Sequence, residues 1–344
     1  MLFFVKYFTI RKSFFMNKLE KNAFLLIRRG IAGTRAELAR ELSVSRPTAS
    51  SVVEKLLEQE LICERGKGKS TGGTAPILLT VNQKSAYYIG IDLGYTDRMS
   101  AVLIDHAGEI AAEAETAFSP SDLRDLAEKV SVLIKKISGR KKISGVAVAL
   151  SGIVDEKTMT VTKSINPFYC GSVVPELLSR VTGLPVTIWN RSRAAAVSEA
   201  FGGAGDKESD FALISLGASI GSAFWSDGKI FDGRHSCAGE IRNLRLNCGL
   251  RFEDALSLTR IKGCGIDNVL ELCADGLSQV ISIMDLELLI LSGRFADFSP
   301  DFPEKLENVL KRDYPVRVRS ARFGRNSAAR GAAFRRGEMM ILQP

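Results

Sequence analysis

With only two histidines and six cysteines in 344 residues, and no C-x-x-C pair among Cys63, Cys170, Cys237, Cys248, Cys264 and Cys273, the chain lacks the material of a disulfide framework or a complete thiolate zinc site. Thiols so scattered fit a reducing cytoplasm. Long apolar runs are also missing: nothing approaches the roughly 18 consecutive residues of a membrane-spanning helix. The Phe-rich start from Met1 to Phe15 is broken by Lys6, Arg11 and Lys12 and offers no small-residue cleavage site. Residues 1–16 are therefore expected to be a frayed extension, with Met16 as an alternative start of translation. Apolar residues at 45% against 25% charged exclude wholesale disorder, and the length suits two or three cores.

What is present is unevenly placed. Residues 1–84 hold 15 Lys and Arg against 7 Asp and Glu, which accounts for the whole net charge of +8, while residues 85–344 carry 32 of each sign. A basic head on a neutral body points to a polyanionic partner for the head; a merely solvated basic surface is the plainer alternative.

In the head, residues 17–84, a helix begins near Asn17, with Leu19, Ala23, Leu26 and Ile27 on one face, and stops at Gly30. Thr34 followed by Glu37 has the spacing of a capping box and opens a second helix carrying Ala36, Leu38, Ala39 and Leu42. Ser45 caps a third helix with Pro47 in its first turn and Val52, Val53, Leu56, Leu57 and Leu61 inward. This is a helix-turn-helix, and Arg46, Thr48, Ser50 and Ser51 are the groups it would offer to base edges and phosphates. Two extended pieces, Leu61 to Arg65 and Ile77 to Val81, flank a glycine-rich loop with Arg65, Lys67 and Lys69, which reads as a basic wing. A three-helix bundle with a hairpin for protein contacts is the competing reading.

The body repeats one grammar. Apolar runs at Ala86 to Asp92, Met99 to Ile104 and Glu109 to Glu115 lead to an amphipathic helix from Asp122 to Ile137 and a buried strand from Ile143 to Leu150. Strands at Asp210 to Ser215, Ser222 to Trp225 and Lys229 to Phe231 start the pattern again, which suggests a duplicated α/β, phosphate-binding fold.

Four ordered motifs give this pattern a resemblance. They are Ser70-Thr71-Gly72-Gly73 with Pro76 and Leu78, Ile89-Gly90-Ile91-Asp92-Leu93-Gly94, Gly217-Ala218-Ser219-Ile220-Gly221, and Ala238-Gly239-Glu240-Ile241. Over residues 17 to about 338 the chain resembles the ROK family of repressors, open reading frames and sugar kinases, in its transcriptional repressor branch. The resemblance implies an N-terminal winged helix-turn-helix followed by a two-lobed actin-like, sugar-kinase-like (ribonuclease H-like) body. Lobe 1 would span 85–195 and lobe 2 196–338, with the last helix returning to lobe 1, and the whole would pair as a homodimer or a dimer of dimers. It also implies phosphate-motif positions at Asp92, Gly94, Gly217 and Gly221, and sugar positions at Gly152, Asn166, Asn190 and Glu240, with Arg191 beside them. Inherited turn and cap roles are the alternative for these sugar positions.

The chain departs from the family's kinases at three places. Arg191 stands where they carry the aspartate that acts as general base, and an arginine cannot accept the proton. Asn243 and Arg242 replace a histidine and a glycine of the family's zinc segment, and only Cys248 remains of its cysteine cluster, so no zinc is expected. The second phosphate motif has lost glycines, leaving Ala218, Ser222 and Ala223 to crowd it, and Arg294 with Phe295 stand where adenosine would pass.

The expected function is a cytoplasmic, non-enzymatic regulator that binds operator DNA, with a sugar or sugar phosphate as effector, no cofactor and no membrane partner. An ATP-dependent sugar kinase with a fused head, and a regulator whose body only dimerises, are the alternatives. Arg191 is expected either to meet a ligand phosphate, joined by Arg193 or Arg242, or to ion-pair with Glu240 or Asp155. His106 and His235 are expected at the surface or in turns.

Overall fold

The computed structural model describes residues 16–69, 75–95, 97–119, 122–164, 166–217, 219–261, 263–293 and 299–342. Residues 1–15 of the expected extension, Ser70 to Gly73 of the first motif, and Thr96, Ala218, Arg294 and Phe295 lie outside them. Contacts divide the chain into two compact units, residues 1–85 with 337–344, and residues 86–336.

The first unit holds α1 (Lys18–Arg28), α2 (Arg35–Glu41), α3 (Arg46–Glu58) and a hairpin of β1 (Ile62–Lys67) and β2 (Ile77–Val81). A reciprocal capping box opens α1: Asn17 Oδ1 accepts from the Glu20 backbone at 2.9 Å, and a Glu20 carboxylate oxygen accepts from the Asn17 backbone at 3.0 Å. The box expected at α2 is only half made. Thr34 Oγ1 accepts from Glu37 N, but the Glu37 carboxylate takes the N–H of Gly33 at 2.7 Å instead of that of Thr34. The Gly33 carbonyl in turn accepts from Leu79 N of β2 at 2.8 Å, so Gly33 is bonded on both sides. On α1 the buried apolar set is Ala23, Phe24, Leu25 and Ile27, while Leu19 and Leu26 are half-buried. The expected single face is too narrow because α1 meets α3 and β2 and also residues 337–342: Arg29 pairs with Glu338 at 2.6 Å, and Lys21 reaches the Leu342 carbonyl at 3.4 Å.

The second unit contains two five-stranded sheets. The first is made by β3 (Tyr87–Asp92), β4 (Arg98–Asp105), β5 (Ile110–Ala117), β6 (Ile143–Leu150) and β9 (Val186–Asn190), in the order β5-β4-β3-β6-β9. A small hairpin of β7 (Ile153–Asp155) and β8 (Thr160–Lys163) follows β6, and the helices α4 (Leu123–Ser138) and α5 (Val173–Thr182) share the sheet's core. The helix α6 (Arg191–Ala200) then leads to the second sheet.

That sheet consists of β10 (Phe211–Leu216), β11 (Ile220–Ser226), β12 (Lys229–Phe231), β13 (Leu288–Ser292) and β14 (Arg317–Ser320), ordered β12-β11-β10-β13-β14. Its other elements are the short helices α7 (Phe252–Ala255) and α8 (Leu258–Ile261), then α9 (Ile266–Met284) and α10 (Phe302–Leu310), with α9 and α10 packed in its core. In both sheets the first three strands form an antiparallel meander and the last two run parallel to the first. The duplication read from the sequence is therefore a duplication of topology.

The last helix, α11 (Ser327–Leu342), lies directly on β3: a Cβ at Gly90 would stand 1.7 Å from the Ala329 carbonyl oxygen. It presses on α6 just as closely, since a Cβ at Gly331 would stand 1.7 Å from the Ala194 carbonyl. Polar clamps hold the same junction. The buried Glu199 carboxylate accepts from the backbones of Ala204, Arg322 and Phe323 and from the Ser327 hydroxyl, and Arg330 donates to the carbonyls of Ser198, Phe201 and Gly108. Buried groups so fully bonded fix α6, and with it the residues that begin the helix.

Candidate nucleic-acid face and ligand cleft

On the head, Ser45 caps α3, its hydroxyl accepting from Thr48 N at 3.3 Å and lying 2.8 Å from the Thr48 hydroxyl. Arg46, Thr48 and Ser51 are exposed and Ser50 is half-buried. Among the described residues no carboxylate pairs with Arg46. Arg35, by contrast, pairs with Glu54 of α3 at 2.7 Å and Glu64 of β1 at 3.0 Å, tying the helices to the hairpin. The wing differs from expectation. β1 continues to Lys67 through an irregularity after Glu64, so Arg65 and Lys67 sit on the strand and only Lys69 lies beyond it; all three are exposed. The left-handed Gly66 (φ 94°) makes that irregularity possible.

In the body, the end of β9 and the start of α6 carry Asn190 and Arg191. Asn190 is the N-cap of α6: its Oδ1 accepts from Arg193 N at 3.0 Å, while its Nδ2 donates to the Gly152 carbonyl at 2.8 Å. Gly152 needs its positive φ of 125° and has no room for a side chain, because a Cβ would stand 2.0 Å from the Lys163 carbonyl. The next residue, Ser164, donates to the Ser151 carbonyl and accepts from Asn166 N, which links the Asn166 turn to Gly152. Asn166 Oδ1 caps a short turn by accepting from Phe168 N at 3.1 Å. The structure thus connects Gly152, Asn166 and Asn190, and it employs both carboxamides as caps. Glu240 sits on the loop after β12 and pairs with Arg242 at 2.9 Å.

Arg191 has neither of the expected partners. Asp155 ends β7 and accepts from Lys157 and Thr158 N, and Glu240 is held by Arg242. Instead Arg191 Nε donates to both oxygens of the fully buried Asp92, at 2.9 and 3.0 Å, and its guanidinium stacks 4.3 Å from the Tyr95 ring. Gly94, the glycine of the first phosphate motif, is what lets it pass, since a Cβ there would stand 2.1 Å from Arg191 Cδ. Burial disfavours the charge on Arg191, yet the Asp92 carboxylate and the Tyr95 oxygen outweigh it and hold its pKa above the ordinary value. A cation of the chain itself thus occupies the space beside Asp92 and Gly94.

The second phosphate motif is tighter than expected. β10 and β11 pair up to Leu216 and Ile220, so Gly221, Ser222 and Ala223 are strand residues rather than loop residues. Ser222 donates to the Gly239 carbonyl, Ala223 is buried, and Gly221 faces the Ser192 hydroxyl. Gly217 remains at the turn.

Two features escaped sequence reading. Glu156, on the turn after β7, has a carboxylate oxygen 3.4 Å from Asn190 N and 3.9 Å from Arg193 Nη1, and burial raises its pKa against the nearby Arg335 and Arg193. Tyr95 stands between Arg191 and Arg98, whose guanidinium is 4.0 Å from the ring. An aromatic directly after the motif glycine was the visible signal for Tyr95; Glu156 had none. His106 is a turn residue but buried, tilted against Tyr88 at 5.8 Å, whereas His235 is exposed.

A sheet pair of this topology defines a body of actin-like fold, and the chain belongs to the ROK family, whose model matches residues 88–268. It is 28% identical over 237 residues to the xylose repressor of Caldicellulosiruptor bescii, a match covering 67% of this chain and 58% of that protein. It is 23% identical over 344 residues to the xylose repressor of Bacillus spizizenii W23, covering 87% of this chain and 89% of that one. The chain thus spans under three-fifths of the first of these relatives. Among solved structures, a ROK family transcriptional regulator described as a homolog of the E. coli MLC protein superposes with a TM-score of 0.73 at 18% identity, over 94% of this chain and 95% of that one. At that identity the likeness concerns the fold. Among the described residues no helix is long and apolar enough to cross a membrane.

Proposed function

We propose that the chain is a sequence-specific DNA-binding transcriptional regulator, a dimeric cytoplasmic repressor of carbohydrate genes, whose kinase-like body senses a carbohydrate without phosphorylating it. One observation carries the second half: Arg191, which by resemblance stands where the family's kinases carry their general base, is bound to the buried Asp92. A protonated guanidinium cannot take a hydroxyl proton, and its place beside Asp92 denies the motif to a nucleotide phosphate. The exposed Arg46, Thr48 and Ser51 at the start of α3, beside a basic hairpin, support the first half, as do the names of the relatives.

Footprinting on the DNA upstream of the gene and its neighbours tests the head; protection of a two-fold-related pair of half-sites is expected. A coupled ATPase assay with an aldose panel led by D-xylose tests the body, and sugar-dependent ATP turnover would overturn the non-enzymatic reading. The body that only dimerises is favoured by the cap roles of Asn166 and Asn190. Thermal-shift measurements with the same panel separate it, since a ligand at 100 times its Kd adds about 2.7 kcal/mol.

A further inference from the structure

Beyond the positions that the family resemblance supplies, one charged side chain at this cleft is incompletely bonded. Arg193, in the first turn of α6, is 4% exposed; its Nη2 donates to the Asp232 carbonyl at 3.3 Å, and its Nη1 has no hydrogen-bond partner. The atom facing Nη1 is Glu156 Oε1 at 3.9 Å, too far for a hydrogen bond. Glu156 comes from the hairpin after β6 and Asp232 from the loop after β12, so Arg193 stands where the two sheets' loops meet, one turn from Asn190. A single oxygen about 2.8 Å from each atom would bridge the two, accepting from the guanidinium and donating to the carboxylate. Only a group with both a lone pair and a proton satisfies the two partners, and a hydroxyl is such a group.

The charges around the cleft say which ligand is excluded. Arg191 is bound to Asp92 and Arg242 to Glu240, each at 2.9 Å, and Glu156 stands among Arg193, Arg335 and Asp232. Four arginines face four carboxylates. Each of these arginines has a carboxylate beside it, so none is an unopposed cation for a dianion, and the Glu156 carboxylate would repel one from Arg193 Nη1.

We propose that Arg193 and Glu156 form a hydroxyl-bridging subsite, which makes the body selective for an uncharged polyhydroxylated ligand over its phosphate ester. The proposal rests on the sensor reading above and assigns it two residues and a ligand class. A site built to bond a hydroxyl rejects the analogue that lacks it, because its polar partners are then left unpaired.

The test is calorimetry on the full chain with D-xylose and D-glucose, their monodeoxy analogues and their terminal phosphates, in the native sequence and in Arg193→Met and Glu156→Gln. For the native chain, one deoxy position should cost about tenfold or more in Kd, and the phosphate should bind at least tenfold more weakly than the free sugar. In Arg193→Met the penalty at that deoxy position should shrink to within about threefold, since the donor it reported is gone. Glu156→Gln keeps an acceptor and removes the repulsion, so the phosphate should gain several-fold; this variant keeps the test decisive if Arg193→Met does not fold. A deoxy penalty unchanged in the variants, or a phosphate bound as tightly as its sugar by the native chain, would overturn the subsite while leaving the sensor intact. Absence of binding by every sugar would overturn the sensor reading and the subsite with it.

Discussion

The candidate DNA-reading face of the head and the candidate ligand site of the body use arginine in opposite ways. On α3 of the head, Arg46 is exposed and free of carboxylate partners among the described residues, and Arg65, Lys67 and Lys69 line the hairpin in the open. In the body's cleft, Arg191, Arg193 and Arg242 each lie beside a carboxylate of Asp92, Glu156 or Glu240. An exposed cation can exchange its counterions for phosphates, whereas a paired one would have to break its bond first. The difference teaches that net charge by region, +8 against zero, tracks which arginines are available to a polyanion.

The largest expected effect lies in the body. Asp92→Ala leaves the Arg191 charge half-buried without its partner and should cost about 3 kcal/mol in urea unfolding, the low end for a broken buried pair because Arg191 keeps about a quarter of its side chain in water. Raising the salt to half-molar should change that loss little, since a buried pair is poorly screened. A loss below 1 kcal/mol would show that the pair is as weak as a surface bridge, and the contrast between the regions would collapse.

Arg46→Ala should leave unfolding unchanged within about 0.5 kcal/mol and weaken operator binding by about 1–3 kcal/mol, with relaxed preference at one base position. Retention of full specificity in a binding titration would remove α3 from the groove. Lys67→Ala is the milder change: binding to all sequences should fall alike, and the slope of log K against log salt should become shallower by about one. If specific and non-specific DNA respond differently, Lys67 reads bases rather than phosphate. The smallest expected effect is that of a chelator. With Asn243 in the imidazole position and Cys248 alone of the local thiols, EDTA should leave the melting temperature where it was, and elemental analysis should find no stoichiometric zinc.

Much of the fold was legible because it is written in short-range patterns. The expected strands Ile143 to Leu150 and Lys229 to Phe231 match the observed bounds, and others are within a residue or two. Runs of alternating or continuous apolar residues bounded by glycine turns carry that information locally. Where a boundary moved, a pairing partner moved it: β11 begins at Ile220 because Leu216 is opposite, and β1 extends to Lys67 because Ile77 is opposite. On α1, periodicity selected Leu19 and Leu26, but Phe24 and Leu25 are the buried ones, on a helix that also meets residues more than 300 positions later through Arg29–Glu338 and Lys21–Leu342.

The candidate site divides along the same line. That Arg191 cannot act as a base followed from its identity, since no environment in a protein deprotonates a guanidinium. Its partner did not: Asp92 is 99 residues away and becomes a neighbour only because β3 and β9 flank β6 in one sheet. Arg193 and Glu156 meet for the same kind of reason, one on a helix and the other on a hairpin that follows a different strand. The sequence alone determined the element types, the repeated strand pattern and the basic head, all properties of residue identity and short-range spacing. Which carboxylate neutralises which arginine, and which donor is left unsatisfied, was decided by tertiary structure. Coulomb and hydrogen-bond energies act over a few ångströms of space, and distance along the chain does not enter them.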